Sequence, residues 1–445
     1  MRDNEIMLNV ERVVNKGYGM GRDSDGKIVF VEGAYPGEIV IAKVEKEKKD
    51  LIFARATEVV KPSPYRRAPK CPVFGKCGGC QFMDIDYKEQ LKIKEEIVRD
   101  IFQRFLKMDS SFKEIVPSDI EYGYRTKIET TAFWNGEAFI GMRMKGSHKI
   151  VPIEECHLAP DKVNSLIREI PKFLTALDVP IYNFFKRRGV LKHVVFRYAF
   201  STDQAMLIFV TKTESFKWGR MLSKLVLKKF PWIHSIIHVM NSKDSVVLRG
   251  PYRTLYGEGI IVEKYDWEDF QIPPTAFFQS NYFVSKKLAD VLFDSLNLSG
   301  KEVVLDLYSG VGLFSLRISS AAKKVIGVES SRVSVKAAKA NANINDRRNA
   351  FFVESEAIEF LKSYEKRADI IVLDPPRSGA GKEVMKEIIR ISPNKIAYIS
   401  CEPSTLVRDI KVLIDGGYSV EFVQPFDMFP QTFHVETLTL LKKVI

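Results

Sequence analysis

The stretch VVLDLYSGVGLF, residues 303–314, decides the fold of the C-terminal part of this chain. An apolar run typical of a buried strand leads into a Gly-x-Gly turn and then into the apolar start of a helix. Glycine lets the backbone approach a ligand closely at the carboxyl end of a strand, where open α/β sheets bind their cofactors. The segment therefore predicts a cofactor site at the edge of a doubly wound sheet.

The same alternation of strand and helix continues to the end of the sequence. The runs KVIGVES, DIIVLDPP and KIAYIS are separated by helical patterns, which predicts a mainly parallel, Rossmann-like sheet over residues 266–445. Because the carboxyl ends of parallel strands meet at one edge, we expect the side chains that follow these runs to lie together. They are Asp306, Glu329, Asp374 and Cys401.

The acid at the end of the second strand, Glu329, is suited to accept hydrogen bonds from ribose hydroxyls, which favours an adenosyl ligand. Ser315 stands where a dinucleotide fingerprint would have its third glycine, so a nicotinamide enzyme is disfavoured and a methyltransferase fits better. Asp374 begins an Asp-Pro-Pro edge that also occurs in N-methyltransferases. This motif alone leaves open which atom is methylated.

A cysteine beside the cofactor edge indicates methylation at carbon. Carbon-5 of uracil is a poor nucleophile, and a thiolate added at carbon-6, here from Cys401, would raise its electron density. A base must then remove the carbon-5 proton. Glu436, a carboxylate inside an apolar run, is the candidate, with His434 as the alternative. Two residues apart on a strand, both would face the same side.

The N-terminal and central parts follow other patterns. Residues 1–61 alternate short β-prone runs with glycine-rich breaks, which predicts an OB-like barrel whose Tyr18, Arg22 and Phe30 are candidates for RNA contact. A proline-rich link then opens an α+β region at 62–265, with a helix expected over 86–107. Its basic residues are candidates for phosphate or base contact. They are Arg125, Lys127, Arg143, Lys145 and His148.

Composition limits the class of protein. The chain has 445 residues, 45% hydrophobic and 28% charged, which indicates a folded protein of two or three domains. Its 68 basic and 56 acidic residues give a net charge of +12, so nucleic acid is the leading partner. The N-terminus does not resemble a secretory signal, and no run is apolar enough for a bilayer span. We therefore expect a reduced, cytoplasmic protein without a membrane partner.

Four of the five cysteines lie upstream of the sheet. In a reduced compartment they indicate metal, cluster or catalytic roles before disulfides. On spacing alone, a zinc site and an iron–sulfur cluster both remain open. The four residues are Cys71, Cys77, Cys80 and Cys156.

Six segments occur in order as FFQSN (277–281), DLYSGVG (306–312), GVE (327–329), DPPRSG (374–379), SCEPSTLVRD (400–409) and FHVETL (433–438). Together they resemble the RNA 5-methyluridine (uracil-5-) methyltransferases, in the subgroup with a TRAM barrel and an iron–sulfur cluster, the 23S rRNA type. The resemblance runs essentially from end to end. One departure is Glu402, where this family usually has asparagine, and a carboxylate cannot donate a hydrogen bond as an amide does.

The resemblance implies an enzyme that transfers a methyl group from S-adenosylmethionine to carbon-5 of a uridine, with Cys401 as nucleophile and Glu436 as base. It favours a 4Fe-4S cluster over zinc at the four upstream cysteines, rRNA over tRNA as substrate, and a monomer. The alternatives are an RNA N-methyltransferase and an RNA-binding protein without catalysis. The residues implied to contact the cofactor or the target uracil are Gln279, Tyr308, Glu329 and Asp374.

Overall fold

The computed structural model describes residues 4–108, 111–243 and 247–444. Residues 1–3, 109–110, 244–246 and 445, which fall within the three predicted domains, lie outside the described residues. The predicted fold class is confirmed: a multidomain α/β protein with an N-terminal barrel, a central mixed sheet and a C-terminal Rossmann-like sheet. Among the helices of the described ranges, none is long and apolar enough to cross a membrane.

Five strands close the N-terminal barrel. They are β1 (Glu5–Val14), β2 (Tyr18–Arg22), β3 (Ile28–Glu32), β4 (Ile39–Glu47) and β5 (Leu51–Lys61). The order around the barrel is β1-β2-β3-β5-β4, and only β3 and β5 run parallel. Alternate residues such as Val29 and Val31 fill the barrel core, as expected for strands with one buried face. A short 3₁₀ turn at Asn15–Gly17 connects β1 to β2 on the side of the C-terminal domain.

The helix expected over residues 86–107 is confirmed as α1 (Tyr87–Leu106). The side chain of Asp86 accepts a hydrogen bond from the Lys88 amide and caps its start, and Lys107 ends it in the left-handed conformation. Although α1 lies within the predicted central region, its apolar face packs into the same core as the C-terminal sheet. Its Lys94 is fully buried and pairs with Asp427 at 2.5 Å. The domain boundaries at 61/62 and 265/266 stay a prediction.

A seven-stranded mixed sheet forms the central domain. Its elements are β6 (Lys127–Trp134), β7 (Ala138–Arg143), β8 (Ile150–Pro152), α2 (Asp161–Ala176), β9 (Leu191–Ala199), β10 (Gln204–Thr211), α3 (Gly219–Lys229), β11 (Ser235–Met240) and β12 (Tyr252–Tyr256). The strand order is β12-β11-β10-β9-β6-β7-β8, so β12 and β8 are the two edges. Helices α2 and α3 share an apolar core with this sheet.

A two-stranded hairpin, α4 and a second seven-stranded sheet form the C-terminal domain. The elements are β13 (Ile261–Lys264), β14 (Asp269–Ile272), α4 (Tyr282–Leu296), β15 (Val303–Leu307), α5 (Leu313–Ser319), β16 (Lys324–Glu329), α6 (Arg332–Ile344), β17 (Ala350–Glu354), α7 (Ala357–Ser363), β18 (Ile370–Leu373), α8 (Lys382–Ile391), β19 (Lys395–Ser400), α9 (Pro403–Asp415), β20 (Tyr418–Phe426) and β21 (Glu436–Lys443). The sheet order is β17-β16-β15-β18-β19-β21-β20, and β21 runs antiparallel to both neighbours. The parallel strands therefore present their carboxyl ends to one side, together with the start of β21.

Candidate active site

Four predicted site residues lie at the carboxyl ends of adjacent parallel strands. Tyr308 follows β15, Glu329 ends β16, Asp374 follows β18 and Cys401 follows β19. Glu436 joins them from the other direction, because it begins the antiparallel strand β21, whose next residue pairs with the last residue of β19. The sheet topology therefore places one thiol and three carboxyl groups at the same edge as the glycine turn.

The turn after β15 is shaped to bring the backbone close to a ligand. Gly312 has φ of 93°, and a Cβ at this position would lie 2.9 Å from the ring of Phe352, so only glycine fits. Tyr308 also adopts a positive φ, 64°, which is uncommon for a residue with a large side chain. Both carboxylate oxygens of Glu329 accept backbone hydrogen bonds, from the Gly310 amide at 3.1 Å and the Ser331 amide at 2.7 Å. This acid is thereby fixed beside the turn.

Two buried aspartates and a glutamine lie behind the turn. Burial raises the pKa of Asp306 to about 7, against the hydrogen bond that it accepts from Ser315. Burial and the charge of Asp306 raise the pKa of Asp374 to about 7 as well, while the Gln279 amide donates to Asp374 Oδ2 at 3.1 Å and opposes that rise. Gln279 is itself held in place, since its backbone carbonyl accepts a hydrogen bond from the Thr126 hydroxyl at 2.8 Å. The loop before α4 and the central domain thus jointly position the Gln279 side chain that donates to Asp374.

The half-buried Cys401 thiol lies among charged groups that shift its pKa in opposite directions. Burial, followed by the negative charges of Glu436 and Asp374, raises its pKa to about 12, whereas the Arg377 guanidinium, through its charge and a hydrogen bond, lowers it. A thiol with such a pKa is almost entirely protonated at neutral pH. Arg377 is therefore the group in this site that favours the thiolate.

Glu436 and His434 do not share a strand. β21 begins at Glu436 and His434 lies in the loop before it, so the expectation that both residues lie on one strand is wrong. Burial raises the pKa of Glu436 well above its usual value, and its Oε1 has no hydrogen-bond partner in the described part of the chain. Burial and Arg377 lower the pKa of His434 to about 3. Glu436 is thus the stronger base of the two.

The unusual Glu402 side chain acts purely as an acceptor. Its Oε1 accepts hydrogen bonds from Asn15 at 2.8 Å and from Ser404 at 2.5 Å. Asn15 lies in the turn between β1 and β2, so this contact joins the N-terminal barrel to the residue that follows Cys401. These contacts need only an acceptor at position 402, so they are compatible with a carboxylate there.

The four upstream cysteines lie in one region of the central domain. Burial raises the pKa values of Cys77, Cys80 and Cys156, and the charges of neighbouring cysteines of the set, Cys71 among them, raise them further. The buried guanidinium of Arg125 lowers all three. All four cysteines carry free thiols, and within the described ranges no group of three or more His, Cys, Asp or Glu side chains is arranged to hold a metal ion. Four thiols are a donor set that fits a metal ion or cluster bound by thiolates. In the described structure, however, the four sulfur atoms are not arranged closely enough to hold one.

One cleft of about 1170 Å³ joins the two regions. Its walls include all six residues predicted for catalysis and cofactor binding, as well as Cys77 of the thiol region. Four of the basic residues expected to contact RNA also line it, so the cleft contains cations as well as the sheet edge. These are Arg125, Lys127, Arg143 and Lys145.

The remaining residues predicted for RNA contact lie elsewhere. Tyr18 and Phe30 both pack against Phe53, with ring centroids 6.0 and 5.6 Å apart, and line a smaller pocket between the barrel and α1. Arg22 instead donates to the carbonyl of Gly26 at 2.8 Å. His148 is exposed and lies outside the main cleft.

Two residues that line the cleft had no role in the sequence interpretation. Arg377 directly follows the Asp-Pro-Pro edge, and its contact with Cys401 depends on how the loop after β18 folds over β19. Phe277 is 59% exposed within the cleft, although it is a large aromatic residue. Its place two residues before Gln279 was the one available signal. An exposed ring in such a cleft is suited to stack on a base.

Comparison with known proteins agrees with this geometry. A family model described as tRNA (uracil-5-)-methyltransferase matches residues 86–444, and a TRAM domain model matches residues 4–57. An uncharacterized RNA methyltransferase of Thermotoga maritima is 56% identical over 437 residues, which is 98% of each chain. Another from Clostridium acetobutylicum is 36% identical over 451 residues and covers 100% of this chain and 98% of its own length.

A solved structure extends the likeness to three dimensions. The crystal structure of Pyrococcus abyssi tRNA (uracil-54, C5)-methyltransferase in complex with S-adenosyl-L-homocysteine is similar with a TM-score of 0.79 and 29% sequence identity. The match covers 98% of this chain and 99% of that chain. The present chain therefore belongs to the tRNA (uracil-5-)-methyltransferase family and is an S-adenosylmethionine-dependent RNA methyltransferase with an N-terminal TRAM domain.

Proposed function

We propose that this enzyme methylates carbon-5 of a uridine in RNA through a covalent bond between Cys401 Sγ and carbon-6. One observation carries the proposal: Cys401 and Glu436 meet across β19 and β21 inside the cleft that also contains the cofactor edge. An N-methyltransferase needs neither group, because an amino nitrogen is already somewhat nucleophilic. A thiol next to a buried carboxyl group is what carbon-5 chemistry requires.

The proposed reaction balances in three steps. The Cys401 thiolate adds to carbon-6, and the electron pair of the 5,6 double bond becomes available at carbon-5. Carbon-5 then takes the methyl group that S-adenosylmethionine supplies from its sulfonium sulfur, and S-adenosylhomocysteine is left as the neutral thioether. The Glu436 carboxylate removes the carbon-5 proton, the double bond re-forms, and Cys401 leaves as the thiolate. The methylated uridine is released, and Glu436 retains one proton.

The charges around Cys401 support these roles. Arg377 lowers the pKa of the thiol and would stabilise the thiolate before addition and after elimination. Glu436 has a raised pKa and a free Oε1, so it is a stronger base than an exposed glutamate and can face the substrate. His434, with its pKa lowered to about 3, would be a weak base in the same position.

Four residues at the sheet edge are proposed to hold S-adenosylmethionine or orient the uracil. Glu329 would accept hydrogen bonds from the ribose hydroxyls, for which its position beside the Gly310 amide is suited. Asp374 and Gln279, joined by a hydrogen bond, would form a polar grip on the uracil edge. Tyr308, half-buried at the turn, would cover one face of the ligand.

A 5-fluorouridine-substituted RNA tests the proposal. Fluorine cannot be removed from carbon-5 as a proton is, so the covalent complex should persist under denaturing conditions and depend on Cys401. A Cys401→Ala enzyme that methylates RNA normally would overturn the nucleophile assignment. Transfer of methyl groups to adenine or guanine, or to no cellular RNA, would instead support the N-methyltransferase or the RNA-binding alternative.

We further propose that the four upstream cysteines bind a 4Fe-4S cluster, with zinc as the alternative. Its proposed role is to tie the loop of residues 71–80 to Cys156 and to the RNA-facing wall, since Gly78 donates a backbone hydrogen bond to the Arg143 carbonyl at 3.0 Å. Uracil methylation requires no electron transfer, so the role is structural. Iron and sulfide analysis after anaerobic purification tests this. Stoichiometric zinc without iron would overturn it.

The RNA substrate is proposed to be rRNA on the sequence resemblance, with tRNA as the second candidate on the likeness to the Pyrococcus abyssi enzyme. A single chain provides every residue of the proposed site, which supports a monomer as the active form. Mapping 5-methyluridine in rRNA and tRNA from cells with and without the protein would identify the substrate. Loss of the modification from tRNA alone would exclude rRNA.

A further inference from the structure

A second cavity of about 470 Å³ lies at the β8 side of the central sheet. Aromatic rings and cations line it, and its lining contains neither aspartate nor glutamate. Its size falls in the range of sites that hold small ligands, roughly 300–1,000 Å³. Arg143 lines both this cavity and the main cleft, so the two are neighbours on the central domain. We call this second cavity the aromatic groove.

Two of its aromatic side chains are largely exposed and are not covered by packing within the protein. Phe185 is 89% exposed and Trp134 is 50% exposed, whereas Phe133 and Phe184 beside them are partly covered. Phe133 stacks on Phe139 with centroids 5.3 Å apart, so its own partner is within the protein. Large exposed rings grouped in a groove mark an interaction surface more often than isolated ones do.

The loop that carries Phe185 has a defined shape. The Asn183 side chain accepts hydrogen bonds from the backbone amides of Phe185 at 3.0 Å and Lys186 at 2.9 Å. The backbone N–H of Asn183 donates to the backbone carbonyl of Arg188 at 2.7 Å. Gly189 closes the loop with φ of 111°, where a Cβ would lie 2.2 Å from the Ile181 carbonyl oxygen. The exposed ring is thus presented on a fixed turn.

Three cations follow this ring in the chain. Lys186, Arg187 and Arg188 come directly after Phe185 and are exposed, and within the described residues no salt bridge includes any of them. Lys149, at the other side of the groove, is likewise exposed. Aromatic rings between unpaired cations are the arrangement with which proteins bind single-stranded nucleic acid: bases stack on the rings, and phosphates pair with the cations.

We propose that the aromatic groove binds a single-stranded RNA segment next to the target uridine, with unpaired bases stacked on Phe185 and Trp134 and phosphates on residues 186–188. The position next to the main cleft, with Arg143 lining both, and the positive charge favour RNA over a protein segment. That the neighbouring nucleotide is a target uridine rests on the proposed function. Binding of RNA to the groove can be measured without methylation. A target uridine must leave its stack to reach Cys401, and holding its unpaired neighbours lowers the cost of that step.

Fluorescence anisotropy with a labelled 12-nucleotide oligouridylate tests the stacking part. We expect Phe185→Ala combined with Trp134→Ala to weaken binding about tenfold, because each stacked base contributes substantially to affinity. Binding of a 12-base-pair RNA duplex should change less than twofold. Phe351→Ala, which removes a 49% exposed ring from strand β17 of the C-terminal sheet, is the matched control and should bind as the wild type does.

The cations are tested by Lys186→Ala, Arg187→Ala and Arg188→Ala together. We expect the slope of log affinity against log salt to become shallower by about 2, at roughly 0.7 per lost phosphate contact. The matched control removes three cations, Lys217, Arg220 and Lys224, from a basic pocket beside the other edge strand, β12. If the control has the same effect, or if both groove variants bind the oligonucleotide within twofold of wild type, the proposal is wrong and the groove serves another partner.

Folding and function are checked separately. Every variant should bind S-adenosylhomocysteine as tightly as the wild type by calorimetry, and Phe185→Tyr should restore oligonucleotide binding. With the wild-type protein, a 4-thiouridine oligonucleotide should photo-crosslink to a peptide containing residues 184–190, and crosslinks confined to other peptides would also overturn the proposal. A wild-type enzyme that binds as described but does not methylate uridine would contradict the proposed function and leave the groove intact.

Discussion

The two cysteine regions of this protein share burial and differ in their neighbours. Burial is the largest cause of the raised pKa for Cys401 and for three of the four upstream thiols. Cys401, however, faces the carboxyl groups of Glu436 and Asp374, whereas the upstream thiols face one another and Arg125. Burial alone thus does not separate the proposed nucleophile from the proposed ligands. The two regions differ instead in the charged groups that surround the thiols.

The largest effect is expected from Cys401→Ala. Without the thiolate, carbon-5 stays a poor nucleophile, and we expect methylation to fall on the order of 10⁴-fold or more. The measurement is transfer of radiolabelled methyl groups to RNA under single-turnover conditions. The same substitution at Cys80 serves as the matched control, and equal losses in both variants would contradict the distinction between the two regions.

Glu436→Gln should have the next largest effect. An amide cannot remove the carbon-5 proton, so elimination should stall, and turnover should fall by roughly 10²-fold or more. The covalent enzyme–RNA adduct should accumulate on denaturing gels with ordinary RNA, without fluorouridine. His434→Gln is the comparison, and we expect it to retain elimination. Adduct accumulation in the His434 variant instead would make histidine the base.

Cys80→Ala should act on structure rather than on chemistry. We expect loss of bound iron and a drop of about fivefold in methylation, which corresponds to roughly 1 kcal/mol, as for one lost hydrogen bond in the RNA-facing wall. Adduct formation with 5-fluorouridine RNA should still occur. An unchanged iron content would show that this cysteine is not a ligand.

The smallest effect concerns the pH dependence of Cys401 alkylation. Because its pKa is raised to about 12, the thiolate fraction should grow with every pH unit between 7 and 10, whereas an ordinary thiol such as N-acetylcysteine approaches a plateau. Arg377→Met removes the group that lowers this pKa, so alkylation at any pH in that range should slow by about threefold. Iodoacetamide labelling of the peptide that contains Cys401, followed by mass spectrometry, gives the rates. A plateau near pH 8 would contradict the raised pKa.

Much of the fold could be predicted because its signals are local. Apolar runs alternating with helical patterns predicted the Rossmann-like sheet, and capping by Asp86 marks the start of α1 within one residue of the expectation. Strand ends could be located in the same way, so Glu329, Asp374 and Cys401 were expected at one edge. Parallel strands in a doubly wound sheet leave few other arrangements.

The contacts between distant segments could not be predicted in this way. His434 and Glu436 were placed on one strand face by their spacing, yet β21 begins only at Glu436. The helix α1 belongs by sequence to the central region, but it packs against the C-terminal core and buries Lys94 against Asp427. Hydrophobic periodicity reports which face of an element is buried and not which partner covers it.

The sequence by itself determined the class of fold, the strand ends that form the candidate cofactor edge, and the residue types that the proposed chemistry at carbon-5 needs, because each depends on neighbours along the chain. Only the tertiary structure decided that Arg377 contacts Cys401, that Asn15 of the barrel binds Glu402, and that Arg143 lines both the cleft and the aromatic groove. Such contacts join residues far apart in the chain. They form only when β21 has paired with β19 in a fixed register and the barrel has packed against the C-terminal domain.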